Sequence, residues 1–313
     1  MGAALVSLTT IGSASARDYP DKPVRIIVGY AAGGADDMTA RIIADKLSRR
    51  MDQQFYVDNR PGGGTVIASE ALAKSKPDGY TLMLGSIVLS ANPALYENLP
   101  YDTEKAFVPI ALVASFPALL AVNETVPANN LKEFIAYAKS KNGQLNYSSS
   151  GIGSMNYLAT ELFKKQTGLN IVHVPYKGGG EATNALLGGF VQMLMVTAAP
   201  IVGYRNKIKI LAVSSGTRLE VLPNVPTFAE AGMPAFKAED WNGILAPAGT
   251  DRQVVEKLNR ELNAVVDLPD VRKRFEKLGA KTLGGTPEQF AILLNEQIAT
   301  WEKVLPPEAR IKR

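Results

Sequence analysis

Short apolar, β-branched runs alternate with amphipathic segments along most of this chain, and glycine-rich turns join them. The run at residues 24–28 leads through Ala31-Ala32-Gly33-Gly34 into a segment where Met38, Ile42, Ile43 and Leu47 recur near helical spacing. Phe55-Tyr56-Val57 predicts a second strand. Pro61-Gly62-Gly63-Gly64 opens a helix over 66–76, and residues 80–84 predict a third strand. Apolar strands separated by helices imply parallel pairing with both faces of the sheet covered.

A second block repeats this rhythm. Leu131, Phe134, Ile135 and Ala138 mark one helix face, closed by Asn142-Gly143. Strand 145–147, loop 148–153 and a helix over 154–165 follow, then strand 171–174, the turn Gly178-Gly179-Gly180, a helix to Leu187, and strands 191–196 and 209–213. The end of the chain is periodic and helical over 251–266, 269–278 and 287–305. In the last of these, Phe290, Leu293, Leu294, Ile298 and Trp301 form one apolar stripe that reads as a core-facing surface.

Length and charge refine the picture. At 313 residues the chain is long enough for two domains. Its net charge of +4 is dispersed, and no basic stripe interleaves with aromatic residues, so no nucleic-acid partner is expected. The first residues read differently. Residues 3–11 are mostly apolar, and Ala14-Ser15-Ala16 supplies the small residues of a signal-peptidase site. No Lys or Arg precedes Arg17, so residues 1–16 are expected to be a signal peptide that has lost its basic start. No later stretch is apolar for the ~18 residues that a membrane span needs.

Catalytic chemistry is sparsely provided. With no cysteine, thiol catalysis, disulfides and thiolate metal sites are excluded. The one histidine, His173, sits in an apolar strand, where a structural role outweighs a base. No Gly-x-Ser-x-Gly elbow, phosphate-binding loop or dinucleotide fingerprint is present, so no cofactor is expected. Asp36 and Asp37 are adjacent, but one carboxylate pair at a helix start is more often a cap and dipole partner than a metal site. The chain offers instead three glycine- or serine-rich loops between strand and helix, at residues 31–37, 148–154 and 177–180. There the first-turn amides lack internal partners, the helix dipole is positive, and glycine admits close approach. This makes an anion site that needs no Arg or Lys. Each loop alone reads as an ordinary turn; three across two apparent domains point to function.

The same residues carry a resemblance. Tyr19-Pro20-Asp21-Lys22-Pro23-Val24-Arg25, then Tyr30-Ala31-Ala32-Gly33-Gly34-Ala35-Asp36-Asp37 and Ala40-Arg41, resemble the opening of the Bug family, TctC-like periplasmic solute receptors of tripartite tricarboxylate transporters. Asn59-Arg60-Pro61-Gly62, Pro77-Asp78-Gly79-Tyr80-Thr81-Leu82, Asn92-Pro93, His173-Val174-Pro175-Tyr176-Lys177-Gly178, Leu222-Pro223 to Gly232, and Trp241-Asn242-Gly243 to Thr250 match in order. The likeness runs from Tyr19 to about Lys303.

It implies an α/β Venus-flytrap fold, each lobe a sheet flanked by helices and the two joined by crossing strands. Residues 17–123 with 236–313 would make one lobe and 124–235 the other. It also implies a ligand carboxylate held by backbone groups and ordered waters. Carried over by position, Tyr30, Ala32, Gly33, Gly34 and Asp37 with Ser86 would line one side, and Ser150, Gly151, Gly153 and Ser154 the other. Three positions depart from the family. Tyr157 stands where His is frequent, Thr197-Ala198 where Asp-Asn is usual, and Tyr30 where Phe is common. A neutral Thr197 argues against an amino-acid ligand. Tyr30, Met155 and Tyr157 suit the apolar body of a dicarboxylate or aromatic acid, although Tyr157 could equally pack on its own helix.

The expectation is therefore a monomeric, non-enzymatic periplasmic receptor whose partners are a small carboxylate and the membrane components of a transporter. An enzyme using Asp37 as base, or a ligand-sensing partner of a membrane kinase, are the competing readings.

Overall fold

The structure, a computed structural model, describes residues 19–204 and 206–312. The expected signal segment lies outside the described residues. In chain order the elements are β1 (Val24–Val28), α1 (Ala35–Met51), β2 (Phe55–Asn59), α2 (Val66–Ala73), β3 (Thr81–Ser86), α3 (Ile87–Leu95), β4 (Phe107–Pro117) and β5 (Leu119–Asn123). Next come α4 (Leu131–Ser140), β6 (Asn146–Ser149), α5 (Met155–Thr167), β7 (Val172–Pro175), α6 (Gly179–Leu187), β8 (Met193–Val196) and β9 (Ile208–Val213). The chain ends with β10 (Glu239–Pro247), α7 (Arg252–Val266), α8 (Pro269–Lys277), β11 (Lys281–Thr282) and α9 (Pro287–Val304).

Two sheets result, a six-stranded one in the order β11-β4-β10-β3-β1-β2 and a five-stranded one in the order β7-β6-β8-β5-β9. The strand–loop–helix units pair in parallel as expected: β1 lies between β2 and β3, and β6 between β7 and β8. Val24, Ile26, Ile27 and Val28 are all inaccessible to solvent because helices cover both faces of β1. The remaining pairings, β10 with β3 and β4, β11 with β4, and β5 with β8 and β9, are antiparallel. β7 is an edge strand, which leaves Val172 exposed and His173 only half-buried.

The lobe boundary differs from the expected one. β5 belongs to the second sheet, so the chain changes lobes at Ala118 and not after Asn123. Residues 107–123 are a nearly unbroken apolar run, and a run with no polar punctuation does not show where one strand ends and the next begins. The returning crossing lies alongside. The Ala118 amide donates to the Ala238 carbonyl (3.0 Å) and to Ser214 Oγ (2.9 Å). The Ser214 amide donates to the Ala118 carbonyl (2.9 Å), and its hydroxyl donates to the Ala238 carbonyl (2.6 Å). One buried serine thus ties both crossings together. Ser214→Ala should cost about 1–2 kcal/mol, the usual consequence of removing one partner from buried polar groups, seen as a lowered urea midpoint at unchanged slope.

A single apolar cluster runs through both lobes. It joins Ile27 and Met83 of the first sheet to Leu120 and Met193 of the second and to Phe163 of α5. Phe163 is ringed by Phe134, Phe228 and Phe236, with ring centroids 5.9–6.4 Å away. α9 begins at a Thr286/Gln289 capping box and buries Phe290, Leu294, Ile298 and Trp301 against α3 and β4. The stripe seen in the sequence is therefore core.

Candidate functional site

Both expected binding loops sit at the carboxyl ends of parallel strands, where an open α/β sheet leaves helix N-termini free to meet a ligand. In the first lobe β1 runs out through Tyr30 and the exposed residues 31–35 into α1. Gly33 adopts φ +90°, a conformation that side chains with a Cβ resist, and a Cβ there would meet nothing within 4 Å. The Gly34 cap of α1 offers no side chain, so the first-turn amides keep no capping oxygen from that residue.

Asp37 shapes this loop from behind. Its carboxylate is almost wholly buried. It accepts from the Gly33 amide (2.9 Å), Arg41 Nε (2.9 Å), a second Arg41 nitrogen (2.9 Å) and Asn59 Nδ2 (2.9 Å). Those donors hold its pKa down to about 2, Arg41 foremost. Asn59 also donates to the Tyr30 carbonyl (3.0 Å). Asp37 is thus a strut for the turn, not a free ligand or base. The role of Asn59, part of the Asn59-Arg60-Pro61-Gly62 motif, was not visible in the sequence.

Beside the loop stands a polar group of which sequence reasoning found only part. Tyr30 Oη lies 3.4 Å from Ser86 Oγ, at the junction of β3 and α3. Ser86 pairs across the sheet with Asn242 of β10. Asn242 donates through Nδ2 to Asp36 Oδ1 (2.8 Å), and Asp240 accepts the Ile87 amide at the start of α3 (3.3 Å). Burial raises the Asp36 carboxyl to about 6 even though Asn242 donates to it. Burial, then the charge of Asp36, pushes Asp240 well above the usual carboxylate range. The same two carboxylates, after burial itself, raise the Tyr30 phenol. Asp36 and Asp37 therefore part company at once, one toward Asn242 and the other toward Arg41. No group of three or more His, Cys, Asp or Glu side chains placed to hold a metal occurs among the described residues.

In the second lobe β6 ends in Ser148-Ser149, Ser150 follows it, and α5 starts after Ser154. Ser148 donates to the Ala182 carbonyl (2.9 Å) and is buried. Ser149 Oγ receives the Gly151 amide (3.0 Å) and lies 2.6 Å from His173 Nε2. Ser150 donates to Asn156 Oδ1 (3.0 Å), and Asn156 in turn donates to the Met195 carbonyl. Ser154 caps α5: its hydroxyl donates to the Gly151 carbonyl (2.7 Å) and accepts the Tyr157 amide (3.4 Å). The loop is braced from within by its own serines. Gly151 (φ +110°) faces open space, as Gly33 does. Gly153 (φ +82°) is buried against Leu95 of α3, which brings the two lobes into contact beside their loops.

The remaining expected residues divide. Met155, Thr197 and Tyr30 are half-buried. Tyr157 is buried, its ring 4.9 Å from that of His173, so it packs in the core. His173 stacks on Tyr147 as well, and burial lowers its pKa. This is the structural role its strand setting implied. The third glycine loop opens α6, where the Lys177 amide donates to Glu181 and positions 178–180 are open on their Cβ side.

Comparison with known proteins gives a consistent result. Residues 39–308 match the model of the family described as TctC, tripartite tricarboxylate transporter family receptor. The protein BugT of Bordetella pertussis is 35% identical over 93% of this chain and 90% of its own length. Among solved structures, R. palustris Rpa4515 with adipate superposes with a TM-score of 0.82 at 34% identity, covering 95% of this chain and 100% of that one. MatC from Rhodopseudomonas palustris with bound malate gives 0.79 at 33% identity, covering 91% and 99%. The fold, the order of its motifs and these matches together place the chain in the TctC family of tripartite tricarboxylate transporter receptors, the Bug-type solute-binding proteins.

Proposed function

We propose that this chain is a periplasmic receptor that binds a small carboxylate between its lobes and delivers it to the membrane components of a tripartite tricarboxylate transporter. The observation that carries the reading is the pair of braced, glycine-bearing loops. Gly33 and Gly151 both turn with positive φ, both have free space on the Cβ side, and both precede a helix whose first-turn amides favour an anion. The adipate and malate named with two relatives support a dicarboxylate over an aromatic acid. No helix among the described residues is long and apolar enough to cross a membrane, which suits a receptor that docks on its transporter. Against an enzyme using Asp37 as base stands the saturation of that carboxylate by four donors.

A thermal-shift screen over mono-, di- and tricarboxylates tests the proposal. A ligand at a hundredfold excess over its Kd should stabilise the chain by about 2.7 kcal/mol. A flat response to every carboxylate would sink the reading.

A further inference from the structure

The serine loop is anchored to a titratable ring. β7 pairs in parallel with β6, His173 opposite Tyr147, so the imidazole shares a sheet face with Ser149, two residues further along β6. Its Nε2 lies 2.6 Å from Ser149 Oγ. That oxygen accepts the Gly151 amide (3.0 Å) and stands 3.2 Å from the Gly151 carbonyl, to which the hydroxyl donates. The glycine that faces open space is thus gripped through both of its backbone polar groups by a hydroxyl that a histidine holds in turn.

Behind this chain of contacts the setting is closed. Ser149 is inaccessible to solvent, and the imidazole stacks on Tyr147 and meets Tyr157, with ring centroids 4.8 and 4.9 Å away. Tyr147 Oη donates to Glu161 Oε1 (2.7 Å), and Lys164 Nζ donates to the same oxygen (2.7 Å). Glu161 and Lys164, both on α5, are the charged groups that act on the imidazole, and they pair with each other. Burial, then Glu161, raises both phenols, and Glu308 adds to the effect on Tyr157. A proton taken up by His173 therefore adds an unbalanced positive charge behind the loop.

We propose that His173 is a positioning residue for the carboxylate site, acting through Ser149 on Gly151, and that the site takes up a proton on this ring as it binds its anion. The inference rests on the carboxylate-receptor reading above and deepens it. The Ser149 hydroxyl has one hydrogen to give. When Nε2 is bare, the short contact claims that hydrogen, and the Gly151 carbonyl is left to the Ser154 hydroxyl (2.7 Å). When the ring is protonated, Nε2 donates to Ser149 and frees the hydroxyl for Gly151. Protonation thus tightens the turn and places a cation near a helix start that already favours an anion. Burial holds the ring below the usual histidine range, so the unliganded chain is mainly neutral there at pH 7. An anion that favours the charged ring raises its pKa. By linkage the gain in affinity is absent above the liganded midpoint and complete below the unliganded one.

His173 is the one histidine of the chain, so the imidazole proton resonances of the untagged full chain report it alone. Their titration, without ligand and with saturating malate or adipate, tests the inference with no substitution. The midpoint should move upward on saturation by an amount that corresponds to roughly three- to tenfold tighter binding by the protonated form. His173→Gln retains a nitrogen donor at the Nε2 position but does not titrate. Between about pH 5.5 and 7.5 its affinity relative to the unaltered chain should fall as the pH is lowered, since the ligand's own ionisation is common to both. His173→Phe keeps the stack on Tyr147 but not the hydrogen bond, and should bind more weakly than the glutamine variant throughout. A midpoint that ligand leaves unmoved, or a constant affinity ratio between the glutamine variant and the unaltered chain, overturns the inference while leaving the carboxylate receptor standing. No binding of malate, adipate or any carboxylate in the thermal-shift screen removes both.

Discussion

Asp37→Ala is expected to destabilise the fold by about 2–4 kcal/mol and to weaken ligand binding, although the carboxylate faces away from the open side of the loop. The residue is 3% exposed and its carboxylate gathers four donors, so truncation strips partners from the Gly33 amide, from Asn59 and from Arg41 together. Removing one partner from a buried group costs about 1–3 kcal/mol, more where a charge is involved. Arg41 is over half exposed and recovers water, which keeps the total at the lower end of a simple sum. Binding should suffer because the Gly33 turn, freed of its tether, must be ordered by the ligand itself. Asp37→Asn is the informative companion, because it keeps the shape but turns a donor toward donors. Urea melts with and without ligand separate the two effects. Acid gives an independent check. The folded-state pKa lies near 2, below that of an unfolded Asp, so the contribution is complete above about pH 4 and fades as pH falls toward 2. The alanine variant should lack that part of the acid-induced loss.

The parallel units of both lobes were legible because each writes its own punctuation: a β-branched run, a glycine turn, and an apolar stripe at helical spacing. β1 and α1 are of this kind, and so are β6 and α5. The antiparallel strands were not. β4 and β5 share one apolar run, and the switch of lobes falls at Ala118 inside it, fixed by hydrogen bonds to Ser214 and Ala238 that lie far along the chain. The binding loops could be found from glycine and serine content because their chemistry is that of the backbone. Which side chains serve them could not. Asp36 meets Asn242 across 206 positions of sequence, brought together by the antiparallel pairing of β10 with β3 and the parallel pairing of β3 with β1, which leads into α1. Tyr157 is open in the sequence between a ligand contact and a packing residue on its own helix, and the fold places its buried ring against His173.

Local bracing and long-range pairing thus do different work in this site. The serines of 148–154 and the Asp37 carboxylate hold backbone turns in place from within their own lobes. Asn242 and Asp240 arrive on a strand that directly follows the Ala118–Ala238 crossing, so the Asn242–Asp36 hydrogen bond is made by a strand that leads straight from the connection between the lobes.

Gly153→Val should produce the larger loss of ligand binding, because it acts on both lobes at once. Gly153 turns with φ +82°, where a β-branched residue is strained by about 1–3 kcal/mol. A Cβ there would also fall 2.8 Å from Leu95 Cδ1 at the end of α3, closer than such atoms approach. Overpacking of this kind adds about 1–3 kcal/mol and forces a shift. Leu95 is buried and α3 is held by Trp301, which donates to Ser90, so the shift is shared between the Leu95 rotamer and the serine loop. That loop carries the Gly151 amide and the Ser154 cap, and its displacement separates the groups that converge on the ligand. Gly151→Ala is the control: its Cβ enters open space, so it pays only the backbone strain and should melt closer to the unaltered chain. The contact itself can be isolated by pairing Gly153→Ala with Leu95→Ala. The double variant should be more stable than the two single losses added together, because truncating Leu95 makes room for the new methyl. Strict additivity would show that the two side chains do not meet and that the lobes are not in contact at this point.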